Sequence, residues 1–222
     1  EKESGIILPN SPTQRVGDKV MEGFNKKQHE VNLYSLNKVR DYQDLSQWVG
    51  EMKSQANDTD FFVEYKFDGL TIVVEYNNGI YVGATTRGNG FVGEDVSLQV
   101  KTIRSVPLTI PYKGRLIVRG EGMMTNKAFE KYNRTAEEKL KNPRNAVAGA
   151  VRNLDPRETA KRNLDFFCYD ILLCDEDFDR QDKIHEFLSS QGFMTGDYFR
   201  LCKNAQEIAI CIEEVDKVKS KL

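Results

Sequence analysis

Lys66-Phe67-Asp68-Gly69 places a single lysine where one apolar run, residues 61–63, meets another, residues 70–74. A lysine between two strand-like segments can sit at a cleft wall, where desolvation and neighbouring cations lower its pKa. Only the neutral amine is a nucleophile, and at an ordinary pKa of about 10.4 fewer than about one lysine in a thousand is neutral at pH 7. The same four residues also describe a strand-end lysine beside an Asp-Gly turn, because so short a motif recurs by chance. Glu64 precedes Lys66 by two, an offset that puts both side chains on one strand face. Residues 88–93, Gly-Asn-Gly-Phe-Val-Gly, satisfy G-x-G-x-x-G after a strand. No βαβ unit surrounds them, and the chain runs on to Pro107 instead of a second parallel strand with an acidic end, which excludes a dinucleotide-binding fingerprint. The glycines suit a loop passing close to a cleft, with Arg87 as its useful side chain. From 141 to 162 six basic residues face only Asp155 and Glu158. That balance fits phosphate contact and equally a solvated helix face.

The elements that must position these groups are legible in outline. Residues 1–30 are polar and read as an irregular arm, leaving 31–222 as the domain proper. Leu45, Trp48, Val49 and Met52 fall on one face of a helix over 41–53. Strand-like runs follow at 61–66, 70–76 and 80–86, the last two joined by Asn78-Gly79, a pair that accepts the positive φ angles of a tight hairpin. Further strands are expected at 116–122 and 164–173, and helices at 126–136, 143–153, 182–191 and 205–219. Ile208, Ala209, Ile212 and Val215 give the last helix an apolar stripe. Directly linked hairpins with helices between them indicate an α+β fold built on largely antiparallel sheets.

Composition sets the class. At 222 residues, 39% apolar and 30% charged, the chain can bury a sizeable core as an ordinary globular protein. A net charge of −2 argues against wholesale electrostatic capture of nucleic acid and leaves only local basic faces. The four cysteines show no C-x-x-C spacing, and with His29 and His185 alone no zinc pattern arises. Reduced thiols, no apolar stretch of membrane-span length and no signal-like start lead us to expect a cytoplasmic protein without membrane contact.

Behind Lys66 come, in order, Thr86-Arg87-Gly88, Gly93-Glu94-Asp95, Val118-Arg119-Gly120-Glu121, Asn142-Pro143-Arg144-Asn145-Ala146 with Ala148-Gly149, Leu154-Asp155-Pro156-Arg157 and Leu164-Asp165-Phe166-Phe167-Cys168-Tyr169. With Ser11-Pro12-Thr13-Gln14-Arg15-Val16-Gly17 and Tyr34-Ser35-Leu36 ahead of it, the series resembles the adenylation (nucleotidyltransferase) domain of bacterial-type NAD-dependent DNA ligases. The Asn-Pro-Arg-Asn block is more specific than the lysine motif, which ATP-dependent ligases and capping enzymes share.

The resemblance implies that Lys66 attacks the adenylyl phosphorus of NAD and releases nicotinamide mononucleotide. The adenylate then passes to the 5′-phosphate of nicked duplex DNA, and the 3′-hydroxyl displaces AMP. It implies Mg²⁺ and arginines as charge stabilisers. By matched position, Asp68 orients Lys66, Glu64 contacts adenine, Ser35 and Leu36 line the nucleotide pocket, and Arg87 reaches ribose or phosphate. Glu121 holds the ribose, Tyr169 stacks on adenine, and Arg144, Arg152 and Arg157 face DNA and the nucleotide phosphates. No residue is assigned to a metal. Asn89 stands where the family usually has aspartate. The family's nicotinamide-recognising segment and its downstream lysine motifs are not matched, so the resemblance implies a partial adenylation domain whose partners include the remaining ligase segments. Two alternatives stay open: an ATP-dependent ligase or capping-type nucleotidyltransferase, and a silent binding subunit of a split ligase.

Overall fold

A computed structural model describes residues 11, 15, 22–56 and 58–218. In chain order the elements are β1 (Lys26–Gln28), α1 (Tyr42–Gln55), β2 (Phe61–Glu64), β3 (Leu70–Asn77), β4 (Ile80–Thr86), β5 (Val92–Glu94), α2 (Ser97–Lys101), β6 (Arg115–Met123), α3 (Asn126–Thr135), α4 (Pro143–Val151), α5 (Pro156–Lys161), β7 (Asp165–Leu173), α6 (Gln181–Ser190), β8 (Phe199–Cys202) and α7 (Ala205–Val218). The named strands pair antiparallel throughout, in the α+β arrangement that the hairpin pattern predicts. The chain divides into two compact units: residues up to Leu33 with Phe67–Thr195, and Tyr34–Lys66 with residues from Gly196 onward.

The first unit is built on a sheet of order β4-β3-β6-β7. Asn78 and Gly79 carry φ of 50° and 75°, so the β3–β4 hairpin turns where expected. Alternation then sorts the side chains. Ile72, Val74, Tyr76, Leu116, Val118, Phe166 and Cys168 point into one core with Val147, Ala150 and Val151 of α4. On the other sheet face Val73 and Ile117 are covered by Leu33, whose N–H donates to the Gly90 carbonyl at 2.9 Å. The arm is therefore not irregular throughout its described part: β1 pairs with β5, and Lys27 bonds Glu75 at 2.7 Å.

Two helix starts share a plan. Asn142 caps α4 by accepting from Asn145 N–H at 2.8 Å, with Pro143 in the first turn. Asp155 caps α5 by accepting from Arg157 N–H at 2.9 Å, with Pro156 next. Proline suits the first turn because its missing N–H is one of the groups the helix leaves unpaired there.

Of the Ser11-to-Gly17 motif only Ser11 and Arg15 are among the described residues. Arg15 donates to the carbonyls of Ile103 (2.8 Å), Val106 (3.1 Å) and Lys101 (3.3 Å), gathering the chain just after α2. Burial pulls its guanidinium below the ordinary arginine value, so these acceptors hold a charge that solvent no longer fully stabilises. We expect Arg15→Ala to lower unfolding free energy by about 1–3 kcal/mol, since three carbonyls lose a charged donor. Urea denaturation reads this directly, and an unchanged midpoint would show the contacts to be incidental.

In the second unit Asp41 caps α1 by accepting from Asp44 N–H at 2.9 Å. Leu45 and Val49 of that helix bury against Phe61, Cys202, Ala205, Ile208 and Cys211. β2 and β8 pair over four residues, Phe61 opposite Cys202 and Glu64 opposite Phe199. The expected strand over 61–66 therefore stops at Glu64, where its partner runs out. The last residue of the expected 205–219 helix, Lys219, lies outside the described residues.

Candidate functional site

Within the first unit, the sheet face away from the main core carries a polar cluster. Thr71 on β3 and Glu121 on β6 are directly opposed in register, and the Thr71 hydroxyl donates to Glu121 Oε2 at 3.1 Å. Glu121 is 9% exposed, so its carboxylate is held and not free to swing. Beside it lies Tyr169 on β7. Burial, and then the Glu121 charge, push the Tyr169 phenol up to about 12. That ring stays a neutral, hydrogen-bonding aromatic across the working range of pH. Phe67, between Lys66 and Asp68, stacks on Phe167 with centroids 4.6 Å apart. One aromatic link of the lysine motif is thus fixed to the same strand as Tyr169.

Tyr169 is the extra residue of a β-bulge. Arg119 pairs with Asp170 and Gly120 with Cys168, leaving Tyr169 without a partner in the ladder. Bulges of this kind re-aim a side chain. The Tyr169 carbonyl, released from the ladder, accepts from Gln181 Nε2 of α6 at 2.8 Å.

The exposed Asp68 carboxylate meets Arg144 Nη1 at 3.1 Å, so the acid of the lysine motif and the arginine of the Asn-Pro-Arg-Asn block are neighbours. Both side chains are more than 60% exposed, and the pair contributes little to stability. Arg152 Nε reaches Glu94 at 3.0 Å, and Arg157 forks onto its own helix cap, Asp155, at 2.7–3.0 Å. All three expected phosphate-facing arginines thus lie exposed, each beside a carboxylate.

The loop after β4 holds Arg87, which is exposed, and its carbonyl accepts from Gly90 N–H at 3.0 Å. Asn89 Oδ1 accepts from the N–H groups of Phe91 (3.0 Å) and Val92 (2.9 Å). An aspartate would supply the same acceptor, so the departure at this position leaves the turn intact. Gly88 has φ of 56°, and a Cβ there would overlap the Val92 carbonyl oxygen, so the G-x-G-x-x-G run serves a tight β4–β5 connection.

In the second unit Ser35 and Leu36 are exposed outside any helix or strand, and Leu36 is 74% exposed. Glu64 is half-buried at the end of β2, and Lys66 is exposed two residues beyond it. Because β2 ends at Glu64, strand alternation does not by itself put Glu64 and Lys66 on one face. Among the described residues no three His, Cys, Asp or Glu side chains gather to hold a metal ion, and no helix is long and apolar enough to cross a membrane.

The model of the NAD-dependent DNA ligase adenylation domain matches residues 21–222. This chain belongs to the NAD-dependent DNA ligase adenylation domain family. Among its relatives are proteins named DNA ligase from Finegoldia magna, 42% identical over all of this chain and 35% of the relative's length, and from Alkaliphilus metalliredigens, 42% identical over 97% of this chain and 33% of the relative. A third, from Clostridium tetani, is 42% identical over all of this chain and 35% of its own length. The chain therefore spans about a third of these ligases.

Within the family frame, Thr71 and Arg119 are the residues that the sequence reading left without a role. Thr71 follows Gly69 by two, and Arg119 precedes Glu121 by two. Counting in twos along β3 and β6 from the motif residues finds both.

Proposed function

We propose that this chain carries the nucleotide-loading step of a DNA ligase, with NAD as substrate and Lys66 as the nucleophile. The observation behind this reading is the Thr71–Glu121–Tyr169 cluster on the sheet face away from the main core of an adenylation-domain chain. An aromatic ring that stays neutral suits stacking on adenine, and a fixed carboxylate suits the ribose hydroxyls. By matched position in the family, Glu64 would accept from the base, Ser35 and Leu36 would contact the nucleotide, and Arg87 would meet ribose or phosphate.

In the chemical step the Lys66 amine, having given up a proton, forms an N–P bond to the adenylyl phosphorus. The bond from that phosphorus to the bridging oxygen breaks, and nicotinamide mononucleotide leaves with the electron pair on its phosphate. Asp68 orients the amine, and Arg144, Arg152 and Arg157 offer planar donors to phosphate oxygens of nucleotide or DNA. Mg²⁺ would supply further charge neutralisation at those oxygens. The described residues form no cluster to ligate it, so no protein ligand and no step is assigned to it. Sealing of 5′-phosphate/3′-hydroxyl nicks would need duplex DNA and the other ligase segments, in the same polypeptide or in a second subunit, as partners, with the cytoplasm as location.

The test is transfer of label. NAD labelled in its adenylyl phosphate should mark the protein covalently and release nicotinamide mononucleotide, whereas ATP should not. Labelling from ATP with pyrophosphate release would overturn the choice of substrate. For the pocket itself, Glu64→Ala and Tyr169→Ala should each weaken AMP binding by about 1–3 kcal/mol, roughly ten- to a hundredfold, through a lost charge-assisted hydrogen bond or a lost stack. Calorimetry showing both variants at wild-type affinity would mean the base sits elsewhere.

A further inference from the structure

Arg119 lies on β6 two residues before Glu121, and its guanidinium carbon sits 5.7 Å from the centroid of the Tyr169 ring. Its Nη2 is ion-paired with Asp170, the residue that follows Tyr169 and faces Arg119 across the bulge. Neither side chain is idle surface: Arg119 is 22% and Asp170 24% exposed. The Arg119 carbonyl also accepts from the Cys168 thiol at 3.6 Å, so β6 and β7 hold each other on both sides of Tyr169.

This guanidinium is poorly served as a structural group. Arg119 Nε is buried and has no hydrogen-bond partner among the described residues. A buried N–H left without a partner costs stability, and the ion pair to Asp170 at the other end of the guanidinium leaves that N–H unserved. What arginine supplies there, and an apolar side chain does not, is a flat cation beside an aromatic ring, anchored by a carboxylate one residue away from that ring.

We propose that Arg119, clamped by Asp170, is a positioning residue that fixes the Tyr169 ring as a preformed platform for a purine base. The proposal rests on the reading of Tyr169 as the base-stacking residue and adds what holds it. The bulge frees Tyr169 from the ladder: it shares the sheet face of Phe167, two residues before it, but has no cross-strand partner in the register. The same freedom would let the ring turn unless something on its strand neighbours stopped it. The Asp170 carboxylate fixes the guanidinium, and the guanidinium fixes the ring. Because the platform is ordered before the nucleotide arrives, less ordering remains to be done on binding.

The experiment is a double-mutant cycle on nucleotide affinity, with AMP as the calorimetric probe and the wild-type chain, Arg119→Met, Tyr169→Ala and the double variant as proteins. Arg119→Met should weaken AMP by about fivefold, the scale of a cation–π contact at a partly buried site. The same substitution in the Tyr169→Ala background should have no further effect, since the ring it positions is gone. A purely structural arginine would lower affinity by similar factors in both backgrounds, and that additivity overturns the proposal. Arg119→Met at wild-type affinity, while Tyr169→Ala loses binding, overturns it and leaves the base-stacking reading standing. A silent Tyr169→Ala removes both. If Arg119→Met does not fold, Arg119→Lys carries the test. It keeps a cation for Asp170 but loses the planar fork. A two- to threefold loss that vanishes in the Tyr169→Ala background is then expected, on the smaller remaining cation–π scale of about 0.5 kcal/mol. Unchanged or additive affinity of that variant counts against the role.

Discussion

Lys66→Arg should take covalent adenylate labelling from NAD to background while the protein stays folded. Arginine keeps the positive charge and most of the side-chain length, so any electrostatic help that Lys66 gives to binding survives. What disappears is a nitrogen with a free lone pair: guanidinium stays protonated at any usable pH, with a pKa above about 12. Lys66 is exposed and lies outside β2, so its replacement touches no packed core. A stability change within about 0.5 kcal/mol is expected for such a surface site. Mass spectrometry of the labelled wild-type chain should place the adenylate on Lys66. Full labelling of Lys66→Arg, or adenylate on a different lysine, would take Lys66 out of the mechanism.

Gly69→Ala should be the most damaging small substitution near the motif. A Cβ at Gly69 would overlap the Gly122 carbonyl oxygen and come within 3.2 Å of Glu121 Cγ. Both are on β6, the strand that pairs with β3 from Leu70 onward. Because the obstacle is backbone, relief requires moving the start of β3 away from its neighbour. Overpacking of this kind costs about 1–3 kcal/mol. The displaced residue next in line on that face is Thr71, so the hydrogen bond to Glu121 should weaken too. We expect a lower urea midpoint and, at denaturant-free conditions where the variant is folded, weaker AMP binding. Gly50→Ala is the matched control. It lies in α1 with nothing within 4 Å of a new Cβ, and should gain about 0.5–1 kcal/mol from helix propensity. Equal midpoints for Gly69→Ala and wild type would show that β3 and β6 tolerate the approach, and would remove close packing as the reason for glycine in the motif.

Much of the architecture is legible in the chain because its longer elements are periodic or punctuated. The 41–53 stripe, the Asn78-Gly79 hairpin and the capped helix at Pro143 all appear within a residue or two of expectation. What sequence did not disclose is short. β1, β5, β8, α2 and α5 have three to six residues, too few to show a period, and β8 exists because β2 needs a partner. The site divides in the same way. Motif order points to Glu121 and Tyr169, and the fold brings both beside Thr71. The bulge at Tyr169 left no mark in the sequence, because one extra residue in a ladder depends on the register of two strands. The pairing of Asp68 with Arg144 joins motifs 76 positions apart, a separation at which no local pattern carries information.

The two capped helix starts have a consequence for how the arginine surface behaves as a whole. α4 and α5 have nine and six residues, lengths at which an isolated helix in water is mostly unwound even with a good cap. They persist because Ala146, Val147, Ala150 and Val151 sit in the core, and because Thr159 donates its hydroxyl to the Ala150 carbonyl at 2.8 Å. Arg144, Arg152 and Arg157 therefore do not keep their places independently. They share one opening equilibrium, so a fluctuation that undocks this segment withdraws all three cations together. Exchange protection of the amides from 144 to 159 would then report on the readiness of the entire basic face, with a single free energy governing it.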